Sequence, residues 1–297
     1  MSKFEIFEDK IRAKGKTARV AVVNPIIHSA LEASVKVAER GLAKPILIGD
    51  KAKIESLMKE HTDLDYEILD AGSEKEAAEK AVELARNKKA DAILKGSVSS
   101  TVFLRPMLSK ETGIVKKGSL VSHISVFSIK HYHKFLILSD VAVNITPDLN
   151  EKVKITANAI DLAHYLDITK PKVAILAAAE SVNPKMQSSM DASVISKMGE
   201  RGVFGEAMVE GPMAMDLAVS KESCEEKNFK SPVGGDADII ITPDINAGNI
   251  LYKALAKLCK ADLAAVLSGT EVPVVLTSRG DTAQVKYDSL LLALMMQ

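Results

Sequence analysis

The sequence predicts an α/β fold: two α/β domains with mainly parallel sheets and a cleft between them. Three observations point there. Short β-branched runs such as RVAVV (19–23), PILI (45–48) and DIIIT (238–242) alternate with longer helical stretches, the pattern of βαβ units. These runs are almost continuously apolar, as strands covered on both faces are. The chain has 297 residues, the length of one large or two ordinary domains, and with 47% of them hydrophobic and 26% charged it can bury a sizeable core.

In chain order, residues 4–14 form a short amphipathic helix and 19–23 a buried strand that Asn24-Pro25 breaks. A helix over 28–40 stops at Gly41, a residue suited to a helix C-terminus. Strand 45–48, helix 52–59 and strand 66–69 follow, then the Ala-, Glu- and Lys-rich helix 74–87. Strand 92–94 runs into KGSVSST (95–101). After about residue 113 the character changes. Strands 122–129 and 134–138, joined at 130–133, read as an antiparallel pair, and a polar Pro-containing loop covers 139–150. Helix 151–165, strand 172–178, loop 180–189 and a helix to about residue 200 come next. A strand at 206–209 stops before Gly211-Pro212, helix 213–220 follows, and 223–235 is a polar loop. Strand 238–242 gives way at 243–249 to a helix over 250–258. The predicted division is 1–117 with 268–297, and 118–267, the last helix returning to the first domain. Clefts between domains are the usual place for small-molecule sites.

Composition removes several classes of function. Lys plus Arg equals Asp plus Glu at 39 each, which argues against nucleic acid or an anionic membrane as partner. There is no Trp, and 4% aromatic residues make a poor base-stacking platform. No apolar run approaches the roughly 18 residues that span a bilayer. The N-terminus lacks an apolar signal core, and two cysteines make no disulfide framework, so the expected setting is the cytoplasm. Neither a Walker loop nor GxGxxG is present, which leaves nucleotide readings without their fingerprints. His123, His131 and His133 have no adjacent carboxylate pattern, so no metal site is expected.

Residues 272–288, VPVVLTSRGDTAQVKYD, carry the strongest chemical signal. An apolar strand ends in a tight turn and then a helix. The first turn of a helix offers free N–H groups and the positive end of the dipole to an anion. Ser278 adds a hydroxyl, Arg279 a two-pronged cation, and Gly280 a backbone that a ligand can approach. The same residues also read as an ordinary N-cap with a surface charge. KGSVSST lies at another strand end, where ligands of parallel sheets gather, and supplies Lys95, Gly96 and Thr101 as candidate binders. In SDVAVNITPDLN (139–150), Asp140, Asn144 and Thr146 stand at a strand end, and Asn144 is an uncharged donor for phosphate or a carbonyl. Asn246, Gly248 and Asn249 either bind an anion or pack the cleft.

Several stretches resemble the phosphate acetyltransferase and phosphate butyryltransferase family, closest to its butyryltransferase branch: KGSVSSTVFLRPML (95–108), SDVAVNITPDLNEK (139–152), GEAMVEGPMAMDLA (205–218), GGDADIIITPDINAGNILYKAL (234–255) and LTSRGDT (276–282). The resemblance implies a reversible acyltransferase of the EC 2.3.1 class, in which acyl-CoA and inorganic phosphate give acyl phosphate and CoA. It further implies two α/β domains with the active site in the cleft, homodimers or higher homo-oligomers, coenzyme A as substrate, and no tightly bound cofactor. By resemblance Arg279 holds phosphate, Ser278 stabilises the transition state, and Arg105 contacts substrate. A thiol needs a base, since the thiolate is the nucleophile. The acetyltransferase pattern puts an Asp seven positions after the Ser, where this chain has Val285. Asp281, three after Ser278, matches the Ser-Arg-x-Asp pattern of the butyryltransferase branch and serves either as base or as cap of the last helix. That departure, the chain length and the 139–150 loop favour butyryl or similar groups over acetyl. A non-catalytic homologue that binds CoA or acyl phosphate is the alternative, and a two-domain oxidoreductase lacks its metal-binding Asp cluster.

Overall fold

The computed structural model describes residues 2–278 and 280–297; Met1 and the candidate Arg279 lie outside the described residues. A 3-10 turn (Lys3–Ile6) leads into α1 (Phe7–Ala13). Then come β1 (Ala18–Val23), α2 (His28–Glu39), β2 (Ala43–Gly49), α3 (Lys51–Leu57), β3 (Glu67–Asp70), α4 (Glu74–Arg86), β4 (Ala92–Lys95) and α5 (Ser100–Met107). Next are β5 (Ser122–Ser128), β6 (Phe135–Ser139), α6 (Leu149–Tyr165), β7 (Lys172–Leu176), α7 (Gln187–Glu200), β8 (Met208–Met213), α8 (Met215–Val219) and α9 (Lys221–Glu226). The chain closes with β9 (Ile239–Ile241), α10 (Ile245–Lys253), a π-helical turn (Ala254–Leu258), β10 (Asp262–Ser268), β11 (Val274–Val275) and α11 (Ala283–Met295).

Two compact units result, 1–119 with 264–297, and 120–263. In the first, the strand order is β3-β2-β1-β4-β11-β10, parallel throughout except for β10 against β11. β1, β2 and β4 are almost wholly buried, with α2, α4 and α11 packed against them, which explains their unbroken apolar runs. α11 is buried along nearly its whole length. Its polar residues survive there because each has partners: Tyr287 donates to Glu8 Oε1 at 2.7 Å, and Asp288 accepts from Ser2 Oγ and Gln284 Nε2, both at 2.8 Å.

The second unit has the order β5-β6-β9-β7-β8, parallel but for the β5–β6 pair. α6 begins with a capping box, Asp148 and Glu151 each accepting from the other's backbone N–H.

Four expectations are corrected. β8 runs through Gly211-Pro212 instead of stopping before it; β8 pairs on one side only, with β7, and an edge strand tolerates a proline's missing N–H. The polar stretch 223–235 contains the end of α9, whose Ser220 cap accepts from Ser223 N at 3.1 Å. α10 begins at Ile245, five residues earlier than expected, because Asp244 caps it through Ala247 N at 2.9 Å. β10 is not foreseen, although LAAVL is a buried apolar run.

Candidate active site

In the first unit β4 and β11 are parallel neighbours, with Val274 opposite Ile93 and Val275 opposite Leu94. Their carboxyl ends therefore open on one edge of the sheet. The loops 95–101 and 276–282 leave that edge side by side, as ligand-binding loops of parallel sheets do.

The 95–101 loop is pinned to the exit of β1. Gly96 N donates to Val23 O at 2.9 Å and Ser97 N to Asn24 O at 2.8 Å. Asn24, in the left-handed region at φ 50°, sends Nδ2 to Ser97 O at 2.6 Å. A Cβ on Gly96 would collide with the carbonyl oxygens of Val23 and Asn24. The glycine is thus demanded by the fold, and this packing accounts for it whether or not a ligand binds there. Lys95 is buried at the strand end, while Thr101 and Arg105 lie exposed on α5, which Ser99 caps by accepting from Val102 N at 3.2 Å. Asn24 is a residue the sequence points to only as a strand breaker.

The 276–282 turn is held from within. Ser278 is exposed. Its N–H donates to Asp281 Oδ2 at 2.8 Å, and its carbonyl accepts from Asp281 N at 3.2 Å. Asp281 is 8% exposed and does not cap α11; Thr282 does, accepting from Val285 N at 3.3 Å. The cap reading of Asp281 is corrected accordingly: its carboxylate ties the turn to itself. A Cβ on Gly280 would meet no atom within 4 Å, so nothing in the fold requires glycine there. Thr277 Oγ1 is buried and, among the described residues, has no hydrogen-bond partner, an arrangement native proteins avoid unless a ligand or water completes it. Lys286, one turn into α11, is buried and reaches back to the turn; nothing in the sequence pattern separates it from a surface lysine.

The second unit gathers the other candidates. Asp140, 3% exposed, accepts on Oδ1 from Ala142 N at 2.8 Å and Val143 N at 3.1 Å, and on Oδ2 from both nitrogens of Asn144. Asn144 Nδ2 also donates to Val121 O at 2.9 Å. Asn249 Nδ2 donates to Val141 O at 3.0 Å, and Thr242 Oγ1 to Asp140 O at 3.0 Å. Gly248 lies against Asp140 O. Asp140, Asn144, Gly248 and Asn249 are therefore one assembly whose donors are largely spent on ordering the 140–144 loop. Asn246 is exposed in the first turn of α10.

Electrostatics in this unit centre elsewhere. Asp236 accepts from Lys172, Lys134 and His133 at 2.6–2.9 Å. Burial would raise its pKa, but the hydrogen bonds from those three outweigh it and hold the carboxyl far below the usual range. The cluster sits at the amino ends of β6 and β7, away from the strand ends that carry the candidates. Among the described residues there is no group of three or more metal-ligating side chains, and no helix long and apolar enough to cross a membrane.

Comparisons with known proteins identify the family and the fold. The family described as Phosphate acetyl/butaryl transferase matches residues 73–294. The phosphate butyryltransferase of Clostridium acetobutylicum is 41% identical over 286 residues, 96% of this chain and 94% of that protein. The phosphate acetyltransferase of Rickettsia typhi is 39% identical over 287 residues, 95% of this chain and 82% of that protein. The crystal structure of a branched-chain phosphotransacylase from Enterococcus faecalis superposes with a TM-score of 0.84 at 31% identity, covering 94% of this chain and 99% of that one. With α/β units, the KGSVSST and LTSRGDT loops on one sheet edge, and this extent of likeness, the chain belongs to the phosphate acetyl/butyryl transferase family and is a phosphate acyltransferase with coenzyme A as substrate.

Proposed function

We propose that the enzyme moves acyl groups longer than acetyl, of butyryl size, between CoA and inorganic phosphate, and that the 276–282 turn is where phosphate is held. The observation that carries the second part is the β4–β11 register, which puts an exposed Ser278, a Thr277 hydroxyl without a partner among the described residues, and the amino end of α11 at one strand end. A glycine at 280 that the fold does not need leaves the backbone open to an incoming anion. Arg279 supplies the fork that matches phosphate geometry, and Arg105 and Thr101, exposed on α5, are further substrate contacts.

In the forward direction a phosphate oxygen attacks the thioester carbonyl, the C–S bond breaks, and CoA leaves as thiolate, which takes up a proton. Phosphate is already anionic near neutral pH, so this direction asks the protein mainly to position the reactants and to stabilise the tetrahedral oxyanion. In this reading Ser278 stabilises that oxyanion. The reverse direction requires a thiol of ordinary pKa about 8.5 to lose its proton. Asp281 has one oxygen committed to Ser278 N–H, so the geometry favours it as the tie of the turn.

The acyl preference rests on the Ser-Arg-x-Asp pattern with Val285 at the acetyltransferase Asp position. Relatives of comparable similarity carry both names. Rates with acetyl-, propionyl-, butyryl- and isobutyryl-CoA, with and without phosphate, test both claims. Thiol release should require phosphate and be fastest with a four-carbon chain. Equal release without phosphate would reject phosphate as acceptor, and acetyl-CoA as best substrate would reject the preference.

A further inference from the structure

α11 carries a cation where the sheet edge turns into the site. Lys286 is 1% exposed, yet it sits in a helix whose following residues are apolar or internally paired. An ammonium is kept in such a place only when its hydrogen bonds are met. Here Nζ donates to Ser278 O at 3.1 Å and to Asp281 O at 3.3 Å. The same two residues are joined by Asp281 Oδ2 on Ser278 N at 2.8 Å. Ser278 is therefore gripped on both its backbone groups, the N–H by a carboxylate and the C=O by an ammonium. Asp281 is gripped likewise, its N–H by Ser278 and its C=O by Lys286.

We propose that Lys286 is a positioning residue for acyl transfer, fixing the backbone of Ser278 and Asp281 so that Ser278 meets phosphate in one geometry. This rests on the reading of that turn as the phosphate-holding loop. The lysine itself touches no substrate; it acts through two carbonyl groups. Burial lowers its pKa, opposed by the negative charge of Asp281, so the protonated form that makes both bonds is held partly by that neighbour. The bland alternative is a lysine that only fills a gap under a helix end, in which case its loss would weaken the fold evenly and leave the turn's order unchanged.

Lys286→Met keeps the stem and removes the donors. Hydrogen exchange at the Ser278 and Asp281 amides should speed up at least about tenfold, the size of one lost charge-assisted bond, while Leu94 and Val275 in the adjoining strands keep wild-type rates. In the same variant the KM for phosphate should rise and kcat fall, each about tenfold, with the KM for butyryl-CoA within about twofold of wild type. Lys286→Gln, which retains a donor on a shorter stem, should fall between the two. Unchanged exchange at Ser278 and Asp281 would overturn the proposal, as would faster exchange with phosphate KM and kcat intact. Failure of both variants to fold would assign the lysine to the core and overturn it too. A wild-type enzyme whose thiol release ignores phosphate would sink the reading of the site instead, and is seen before any variant is made.

Discussion

Gly248 on α10 lies so close to the carbonyl oxygen of Asp140 that no Cβ could be built there without moving backbone. Asp140 in turn holds Ala142, Val143 and Asn144 by their amides, so the glycine is what lets α10 seat against an ordered 140–144 loop. Mid-helix Gly→Ala normally stabilises by about 1 kcal/mol. At this position the sign should reverse. Gly248→Ala is expected to destabilise by about 1–3 kcal/mol, the range for overpacking against a rigid neighbour, measured as a lower urea midpoint. A raised midpoint would show that the loop yields easily.

Arg279→Gln removes a bidentate cation. The phosphate KM should rise roughly ten- to hundredfold, the equivalent of about 1.5–3 kcal/mol for a charged contact. The KM for acyl-CoA is the control. An unmoved phosphate KM would take Arg279 out of the phosphate site.

Asp281→Asn separates the tie from the base. An amide oxygen can still accept from Ser278 N, so loss of the charge alone should lower kcat only about two- to tenfold. Loss of a general base would lower it by roughly 10²–10⁴. Steady-state kcat at saturating butyryl phosphate and CoA decides between them, and the smaller loss is expected.

Lys152 and Asp191 form a buried pair at 2.7 Å, with Gln187 Nε2 donating to the other carboxylate oxygen at 2.8 Å. Asp191→Ala strands the ammonium and should cost about 3–5 kcal/mol. Adding Lys152→Met should recover most of that loss. Thermal or urea unfolding of the single and double variants provides the check; additive losses would mean that the two side chains do not depend on each other.

Asp236 gives the stability a pH signature. Its folded pKa lies below the unfolded value of 3.8, so its contribution is fully present above that value and is lost as pH falls toward the folded pKa. Asp236→Asn should therefore be less stable than wild type at neutral pH, and the gap should narrow as the pH drops below 3.8. A gap that stays constant would mean that the carboxylate's charge contributes nothing.

The misplaced elements have separate physical causes. The start of α10 is hidden because Pro243-Asp244 and the Asn-Ala-Gly-Asn run read as turn chemistry, and only the Asp244–Ala247 bond shows that the helix has begun. β8 continues through a proline because it lies on a sheet edge, and strand order is not a local property. β10 has an apolar centre, LAAVL, but polar residues at both ends blur it as a strand.

The sequence alone determined the α/β class, the alternation of buried strands with capped helices, and the two glycine- and serine-bearing loops. Each of these is written in short-range patterns: apolar period, turn residues, and one long odd motif around Asn246. Tertiary structure alone decided what the loop residues do. Parallel pairing of β4 with β11, whose paired residues lie about 180 positions apart in the chain, brings the two loops to one edge. Burial turns Lys286 from an unremarked surface-type lysine into the brace of Ser278, and sends Asp140 and Asn144 to each other before any ligand. Hydrogen-bond partners and solvent exclusion depend on distance in space, and spacing along a chain does not encode them.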